Sequence, residues 1–349
     1  MRWAFLPLLA LGPACIDAIN LGTSPDGSLR RDAGLDGGTN DATSAAWAIL
    51  TVTGAEDVQW YDVHGDTNGR IWVVGDQSTV ARLDGDQWTS YRAGSFDTLN
   101  AVFAVSPTDV YVAGNAGLLF HFDGTDWTTL GSEVAPLLDD PLSDVNFTSI
   151  WAEPGGDVFI ATYGWFRINN SIDHAVLRYY HRADDAYEWT YALLDGISAA
   201  FKVRGGYALA SDDLWSFFGS RYTSLRKPFE SEYNSFLSLA VPASGLLHVL
   251  AHPSATGKDE LFVLSAAGWS KISGLDPSLR FYELATDPSG QRLFAAGSDG
   301  VLGEVVAGEL KLILPEAQQL PVIRALYVSS TTIWAVGDKA VLRLPLPAR

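Results

Sequence analysis

One segment of this chain recurs along its length, and this repeat constrains the fold more than any other feature. Residues 71–91, IWVVGDQSTVARLDGDQWTSY, align without a gap onto residues 110–130, VYVAGNAGLLFHFDGTDWTTL. In both copies a short β-rich run ends in Gly, a second alternating run follows, and a Trp stands 13 residues after that Gly. Related β-rich runs end in the same column at Thr162, Ser211, Ala251, Gly297 and Gly337. Repetition over a few tens of residues favours a fold assembled from similar small units.

Each copy follows a further apolar run, which gives four short β-rich runs in a unit. These first runs begin at Val58, Leu99, Phe147, Ile197, Phe236, Phe281 and Ile323. Turn-forming clusters such as DTNG, PASG and DPSG separate the first run from the second, as in antiparallel hairpins. Four strands in a repeat of this length are typical of a propeller blade. The sequence therefore predicts an all-β fold, a seven-bladed β-propeller with four-stranded antiparallel blades, over residues 45–349.

The seventh unit ends before its fourth strand. Its Gly337 would place the Trp column one residue beyond Arg349, the last residue of the chain. The segment AAWAILTV, which contains Trp47, stands before the first unit and lacks three preceding strands of its own. We predict that this N-terminal strand completes the last blade and closes the ring, because an unclosed sheet would expose its edges.

The first residues have the layout of an export signal. A short basic start, the apolar run 3–11 and the small residues 12–14 precede Cys15, the only cysteine of the chain. The apolar run is too short to span a bilayer as a helix. Its ending in Cys resembles the bacterial lipobox, although the expected Leu stands one position further out. The resemblance implies a lipoprotein signal peptide at 1–14 and a lipidated Cys15; an ordinary signal peptide cut after Ala14 stays as the alternative.

Residues 15–44 predict a flexible tether between the lipid and the propeller. They are rich in Gly, Asp, Ser, Thr and Asn, with few large apolar side chains to offset the entropy of ordering the backbone. Ile16, rather than Asp, follows the cysteine, and resemblance to the enteric sorting rule then implies the outer membrane. We therefore expect a protein of the cell envelope that contacts the membrane through its lipid anchor.

Charge narrows the choice of partners. The formal net charge is −18, and the chain has no block of Lys and Arg, which argues against nucleic acid as a partner. An acidic excess keeps like molecules apart, so we expect a monomer. No phosphate-binding loop, dinucleotide fingerprint or cysteine pair appears, and no cofactor is predicted.

Two turns, LDGDQWT at 83–89 and FDGTDWT at 122–128, carry a recognisable motif. Their glycines predict positive φ, their first aspartates predict bonds to turn amides, and their tryptophans predict packing between blades. The motif resembles the Asp-box of sialidase-type propellers, and more closely the degenerate Asp-box (BNR-like) β-propeller lipoproteins of the kind predicted in myxobacteria. This resemblance implies a propeller lipoprotein, with glycan hydrolysis as one activity of such folds.

Two other patterns point weakly to chemistry. Phe166–Asn169, FRIN, resembles the FRIP segment that contributes an arginine to sialidase sites, but it departs from that pattern at Asn169 and lies in the third unit. His248 and His252 are four residues apart, and on a strand this spacing separates them by roughly 13 Å, too far to share one metal ion directly. We predict no metal site and assign no catalytic residue.

The third unit contains an insertion that predicts a recognition surface. Its Thr162 and Trp189 are 27 residues apart, where the first two units have 13. The candidate ligand-binding residues in or beside the insertion are Tyr163, Trp165, Arg167, Asn169 and Asn170. Aromatic rings, a guanidinium and amides on a protruding loop are typical of contact surfaces. The alternative is a loop that covers a blade edge, with Trp165 as a plug.

Together these features favour an exported, lipid-anchored propeller that acts as a noncatalytic binding or envelope-scaffolding module for a protein or glycan. The alternative is a glycan-active, sialidase-like hydrolase with degenerate Asp-box motifs. Only the hydrolase would turn over glycosides. The absence of a recognisable carboxylate and arginine motif does not eliminate it, because propeller active sites assemble from distant loops that motifs do not reveal.

The lipobox generates the first testable prediction. Replacing the nucleophilic sulfur in Cys15→Ser should abolish labelling by a fatty-acid probe and should release the protein from the membrane fraction. Metabolic labelling followed by fractionation measures both effects. Unchanged labelling and fractionation would show that Cys15 is not the lipidation site.

Overall fold

The structure is a computed structural model. It describes residues 6–7, 46–92, 95–131, 145–152, 157–164, 166–168, 171–173, 175–181, 187–193, 200–204, 207–210, 214–218, 221–225, 234–253, 256–315 and 320–348. Cys15 and the predicted tether lie outside these ranges. In the described part of the chain, no helix has both the length and the apolar character needed to cross a membrane.

The described chain forms β-strands, numbered here in chain order, with a 3-10 turn at Ser298–Gly300. The strands β1 to β16 lie before residue 194. These are β1 (Leu6–Pro7), β2 (Ala48–Leu50), β3 (Trp60–Gly65), β4 (Ile71–Gly75), β5 (Thr79–Asp84), β6 (Gln87–Arg92), β7 (Leu99–Ser106), β8 (Asp109–Gly114), β9 (Leu119–Phe122), β10 (Trp127–Thr129), β11 (Val145–Ala152), β12 (Val158–Gly164), β13 (Phe166–Ile168), β14 (Ser171–Asp173), β15 (Ala175–His181) and β16 (Tyr187–Leu193).

The remaining strands, together with β2, form four further sheets. They are β17 (Ala200–Arg204), β18 (Tyr207–Ala210), β19 (Leu214–Phe218), β20 (Arg221–Leu225), β21 (Asn234–Ala240), β22 (Leu247–Pro253), β23 (Glu260–Ser265), β24 (Gly268–Ile272), β25 (Phe281–Thr286), β26 (Leu293–Gly297), β27 (Leu302–Val306), β28 (Glu309–Leu314), β29 (Ala325–Val328), β30 (Thr332–Gly337) and β31 (Ala340–Pro345).

The sheet topology follows the sequence repeat. Within the described ranges, sheet 1 is β3–β6 with β1 on its outer edge, and sheet 2 is β7–β10. Sheet 3 is β11, β12, β15 and β16, and sheets 4, 5 and 6 are β17–β20, β21–β24 and β25–β28. Sheet 7 has the order β2–β31–β30–β29. All neighbours within these sheets are antiparallel, so the predicted all-β fold of four-stranded antiparallel units is confirmed.

Each sheet packs on the next through its first strand. Strands β3, β7, β11, β17, β21, β25 and β29 contact one another in this order, and β29 also contacts β3. The hydrophobic clusters lie between sheets: one contains Trp72 and Val80 of sheet 1 with Val112 and Phe120 of sheet 2. Alternate residues of each strand therefore face one neighbouring sheet or the other, as expected of stacked sheets.

A close backbone contact explains the glycine column of the repeat. A Cβ atom on Gly75 would lie 2.2 Å from the carbonyl oxygen of Gln59, and one on Gly114 would lie 2.1 Å from that of Thr98. At Gly297 the corresponding distance, to Arg280 O, is 1.8 Å. In these sheets a carbonyl that precedes the first strand thus occupies the space of a side chain at the end of the second strand, and glycine leaves that space open. Thr162 and Ala251 stand in the same column in sheets 3 and 5.

A β-bulge lies near the start of the first strand in six sheets, and in sheets 1, 2 and 6 it accompanies this contact. The pairing register shifts between two residues that are two positions apart, for example between Trp60 and Asp62 and between Leu99 and Ala101. The same shift occurs in sheets 3, 4, 5 and 6. Because a bulge changes the phase of side-chain alternation, it resets which residues of the first strand face the neighbouring sheets.

The N-terminal strand β2 pairs with β31. Ala48, Ile49 and Leu50 stand opposite Arg343, Leu342 and Val341 in an antiparallel register. Trp47, immediately before β2, is 7% exposed and packs among residues of sheets 6 and 7. Its indole Nε1 donates a hydrogen bond to the carbonyl oxygen of Gly300 at 2.8 Å.

The predicted turn chemistry is confirmed in part. Gly85 and Gly124 have φ of 63° and 98°. Asp123 Oδ1 accepts hydrogen bonds from the amides of Thr125 and Asp126 at 2.9 and 2.8 Å, whereas Asp84 pairs with a guanidinium, that of Arg70. Trp127 lies in the cluster between sheets 1 and 2, and Trp88 in the one between sheets 1 and 7, as the sequence predicted for packing between units.

The burial of Trp47 generates a stability prediction. Trp47→Ala should lower the free energy of unfolding by about 3–5 kcal/mol, because it leaves a cavity between sheets 6 and 7 and unpairs the Gly300 carbonyl. Phe96→Ala is the matched control, since that ring is 93% exposed and its loss should change stability by at most about 0.5 kcal/mol. Urea unfolding of both variants measures the difference. Equal midpoints would contradict the packing of Trp47.

Candidate functional site

A cavity lies where the first strands of several sheets end. It consists of two parts of about 450 and 380 Å³, which share His64, Phe103, Pro288 and Tyr327 as walls. The described lining residues come from sheets 1, 2, 3, 5, 6 and 7, so most of the molecule contributes to it. We call it the first-strand cavity. Its size is that of ordinary small-ligand or side-chain pockets.

Aromatic side chains occupy one register position on four consecutive sheets around this cavity. These residues are Tyr327 of sheet 7, His64 of sheet 1, Phe103 of sheet 2 and Trp151 of sheet 3. The equivalent positions of sheets 5 and 6 are Ala240 and Ala285. The cavity is therefore asymmetric, with an arc of rings on one side and small residues on the other.

His64 is held at the centre of the arc. Its ring centroid lies 4.2 Å from that of Phe103 and 5.0 Å from that of Tyr327. Its Nδ1 accepts a hydrogen bond from the amide N–H of Ala104 at 3.2 Å. Because an accepting ring nitrogen carries no proton, this contact fixes the neutral tautomer with the proton on Nε2.

The same hydrogen bond belongs to a set in which side chains accept from the backbone amides of first strands. A first strand has an edge that no further strand covers, and its amides need other acceptors. Asp62 Oδ2 accepts from the amide of Val102 at 2.9 Å, and Ser238 Oγ accepts from that of Leu284 at 3.0 Å. Side chains of one first strand thus anchor the next first strand and fix the walls of the cavity.

Tyr327 approaches the backbone of sheet 1 closely. A Cβ atom on Gly65 would lie 2.3 Å from its ring carbon Cε1, so only glycine permits this ring position. Burial, followed by the negative charge of Asp66, raises the pKa of the Tyr327 phenol. The hydroxyl is therefore a neutral hydrogen-bond donor and acceptor at the wall of the cavity.

Two carboxylates line the cavity, each in the turn that joins a first strand to a second. Asp66 is buried, and its Oδ1 accepts from the amides of Asn68 and Arg70 at 2.9 and 3.1 Å. Asp287 accepts from the amide of Arg292 at 2.9 Å and from the hydroxyl of Ser289 at 2.5 Å. The sequence predicted both turns as hairpin signals, but it gave no sign that they meet at one cavity.

For Asp287, burial opposes ionisation. Hydrogen bonds from Ser289, Arg292 and Gln291 and the charge of Arg292 outweigh it, so the pKa of Asp287 is lowered. The Arg292 guanidinium itself is bound at two nitrogens by Glu304, at 2.7 Å each. Asp287 is thus a half-buried carboxylate that stays ionised at neutral pH.

The two histidines of the predicted pair lie on β22 with separate partners. His248 is buried, and its Nδ1 donates to the carbonyl of Leu246 at 3.0 Å. His252 Nδ1 lies 2.7 Å from Asp259 Oδ1, and Asp259 Oδ2 accepts from the amide of Phe281 in the next sheet at 2.7 Å. These contacts tie sheet 5 to sheet 6. Among the described residues, no group of three or more potential metal ligands is present.

The structure places only part of the candidate surface predicted from the sequence. The backbone of Tyr163 pairs with Asn146 near the end of β12, and Arg167 pairs with Ile172 in the hairpin β13–β14. The insertion thus lies between the second and third strands of sheet 3, as predicted. Trp165, Asn169 and Asn170 lie outside the described residues, as does Cys15.

The insertion leaves sheet 3 at the end opposite the first-strand cavity. Strand β11 pairs with β12 from Asn146 opposite Tyr163 to Ala152 opposite Val158, and Ala152 lines the cavity. Sequence reasoning concentrated on the insertion and missed the cavity. An available signal was the aromatic residue in the same column of four first strands, but the bulge hid which face it takes.

Comparisons with known proteins identify the fold. No family model matches the chain, and no curated protein is similar enough to match. A catalytically inactive virginiamycin B lyase from Staphylococcus aureus with quinupristin has a TM-score of 0.67 at 13% identity, covering 87% of this chain and 100% of that chain. YCF48 bound to D1 peptide has a TM-score of 0.62 at 14% identity, covering 86% and 97%. The WD40 β-propeller domain of Doa1 has a TM-score of 0.60 at 14% identity, covering 87% of this chain and 98% of that chain. The chain has a β-propeller repeat fold.

The buried His248 generates a pH prediction. Desolvation, opposed by the bond to Leu246 O, lowers its pKa in the folded protein below the ordinary value of 6.5. The stability due to neutral His248 is therefore complete above pH 6.5 and is lost as the pH falls through the lowered value. Wild type should lose more unfolding free energy between pH 7 and 5 than His248→Gln does, as measured by urea unfolding. Identical pH profiles would contradict this assignment.

Proposed function

We propose that this protein is a noncatalytic binding module of the cell envelope that takes a segment of a partner protein into the first-strand cavity. The observation that carries the proposal is the arc of rings at one register position, opposite small residues. Large, rigid side chains around a preformed cavity provide contact area at low entropic cost. Side-chain hydrogen bonds to the strand edges hold these walls in place before any partner arrives.

We further propose that the sheets are the blades of a closed seven-bladed ring, with β2 as the outer strand of the last blade. The pairing of β2 with β31 and the contact of β29 with β3 support this closure. So does the cluster that joins Val63 and Val73 of sheet 1 to Val336 and Val341 of sheet 7. Closure would leave no open sheet edge where the first and last blades meet.

The proposed location follows from the lipobox and the tether. A lipid on Cys15 and a flexible segment at 16–44 would hold a monomeric propeller at the outer membrane, free to turn either face toward a partner. The insertion residues Tyr163, Trp165, Arg167, Asn169 and Asn170 remain a second predicted contact surface. That YCF48 is bound to a peptide supports only the compatibility of the fold with peptide binding.

A rim substitution tests this function without altering the core. Ser330 is exposed and lines the cavity, so Ser330→Trp should obstruct it and weaken peptide binding by about tenfold, while the matched control Ser330→Ala should not. Binding of the purified protein to a randomised peptide array measures the effect.

The same preparations distinguish the hydrolase alternative. A panel of fluorogenic glycosides should give no turnover above a heat-denatured control. Peptide binding that is equal in Ser330→Trp and Ser330→Ala would overturn the role of the cavity. Glycoside turnover that Ser330→Trp abolishes would replace the binding function with catalysis.

A further inference from the structure

The first-strand cavity combines aromatic faces with carboxylates, and this combination has a preferred ligand chemistry. The faces of Phe, Tyr and Trp rings carry negative electrostatic potential and attract a cation that lies over them. Phe103, Trp151 and Tyr327 supply such rings. Asp66 and Asp287 add carboxylates at the same cavity, and His64 contributes no positive charge while its Nδ1 accepts the Ala104 amide.

The described residues that line the cavity include no Lys or Arg, so none of them neutralises the negative charge of the carboxylates and ring faces. Arg292, whose amide donates to Asp287, has its guanidinium bound at two nitrogens by Glu304 and donates a third hydrogen bond to the carbonyl of Pro347. The chain as a whole has a net charge of −18, which attracts basic partners from a distance.

From this geometry we propose that the occupant of the first-strand cavity is a basic side chain, a lysine or arginine presented by the partner protein. The inference rests on the proposed binding function and specifies its partner. The aliphatic stem of such a side chain packs against the rings, and its charged end reaches the carboxylates in the turns of sheets 1 and 6. A ligand without charge would use the rings but leave the carboxylates without a role in recognition.

In sheet 4 the register position that the aromatic residues occupy in sheets 7, 1, 2 and 3 is aliphatic, since Val203 stands opposite Ala208. The arc of rings therefore ends at sheet 3.

The test compares small probes of equal shape on the purified full chain. Nα-acetyl-lysine N-methylamide should bind about tenfold more tightly than Nα-acetyl-norleucine N-methylamide, which has the same stem without the charge. Ligand-observed NMR at millimolar concentrations measures both dissociation constants. Raising the salt concentration should weaken only the lysine probe, because screening acts on charge.

Variants assign the effect to the cavity. Asp287→Asn and Tyr327→Leu should each weaken the lysine probe several-fold. Asp276→Asn removes the same charge at the opposite end of the sheets, in the segment between β24 and β25, and should have no effect.

Each contrary outcome has a distinct meaning. Equal binding of the lysine and norleucine probes, no binding of either, or unchanged lysine binding in both Asp287→Asn and Tyr327→Leu would overturn the basic-side-chain inference. If peptides still bound and Ser330→Trp still blocked them, the proposed binding function would stand without it. If Ser330→Trp left peptide binding unchanged, the function itself would fail.

Discussion

A close approach between the end of the second strand and a carbonyl that precedes the first strand shapes four of the described sheets. Gly75, Gly114, Gly297 and Gly337 leave room for that carbonyl, and a Cβ on Gly337 would lie 1.8 Å from Val322 O. The amides of Asp76 and Asn115 then donate to the same carbonyls, at 3.1 and 2.8 Å. In sheets 1, 2 and 6 a bulge follows in the first strand, and sheets 3, 4 and 5 have the bulge without this glycine. Where both are present, the contact and the bulge together set which side chains the first strand presents to the middle of the molecule.

The first strand of each sheet has an edge that no other strand covers. Among the described residues, several backbone amides at these edges donate to side chains of the neighbouring first strand. Asp62 and His64 of one sheet accept hydrogen bonds from two amides of the next, and Ser238 does the same between sheets 5 and 6. These residues have a structural task whatever the protein binds. The consequence for function is a cavity with rigid walls, because the groups that line it also hold neighbouring sheets together.

The similar solved structures include a lyase and a protein bound to a peptide, so the propeller fold by itself selects no activity. The function therefore depends on the residues of the site. An arc of rings facing Ala285, with two carboxylates in adjoining turns, favours recognition of a basic side chain over uncharged ligands. The hairpin β13–β14 leaves sheet 3 at the end opposite the cavity, so the insertion and the cavity are spatially separate.

The sequence alone determined the strands, their antiparallel order and the turns. The period of the repeat predicted four-stranded units, the alternating runs predicted the strands, and DTNG and DPSG predicted the turns that carry Asp66 and Asp287. It also predicted the buried position of Trp127 between sheets. Only the tertiary structure decided which residues meet at the cavity. Bulges shift the phase of alternation, and residues as distant in the chain as His64 and Tyr327 come together only when separate sheets pack, a long-range result that no local pattern encodes.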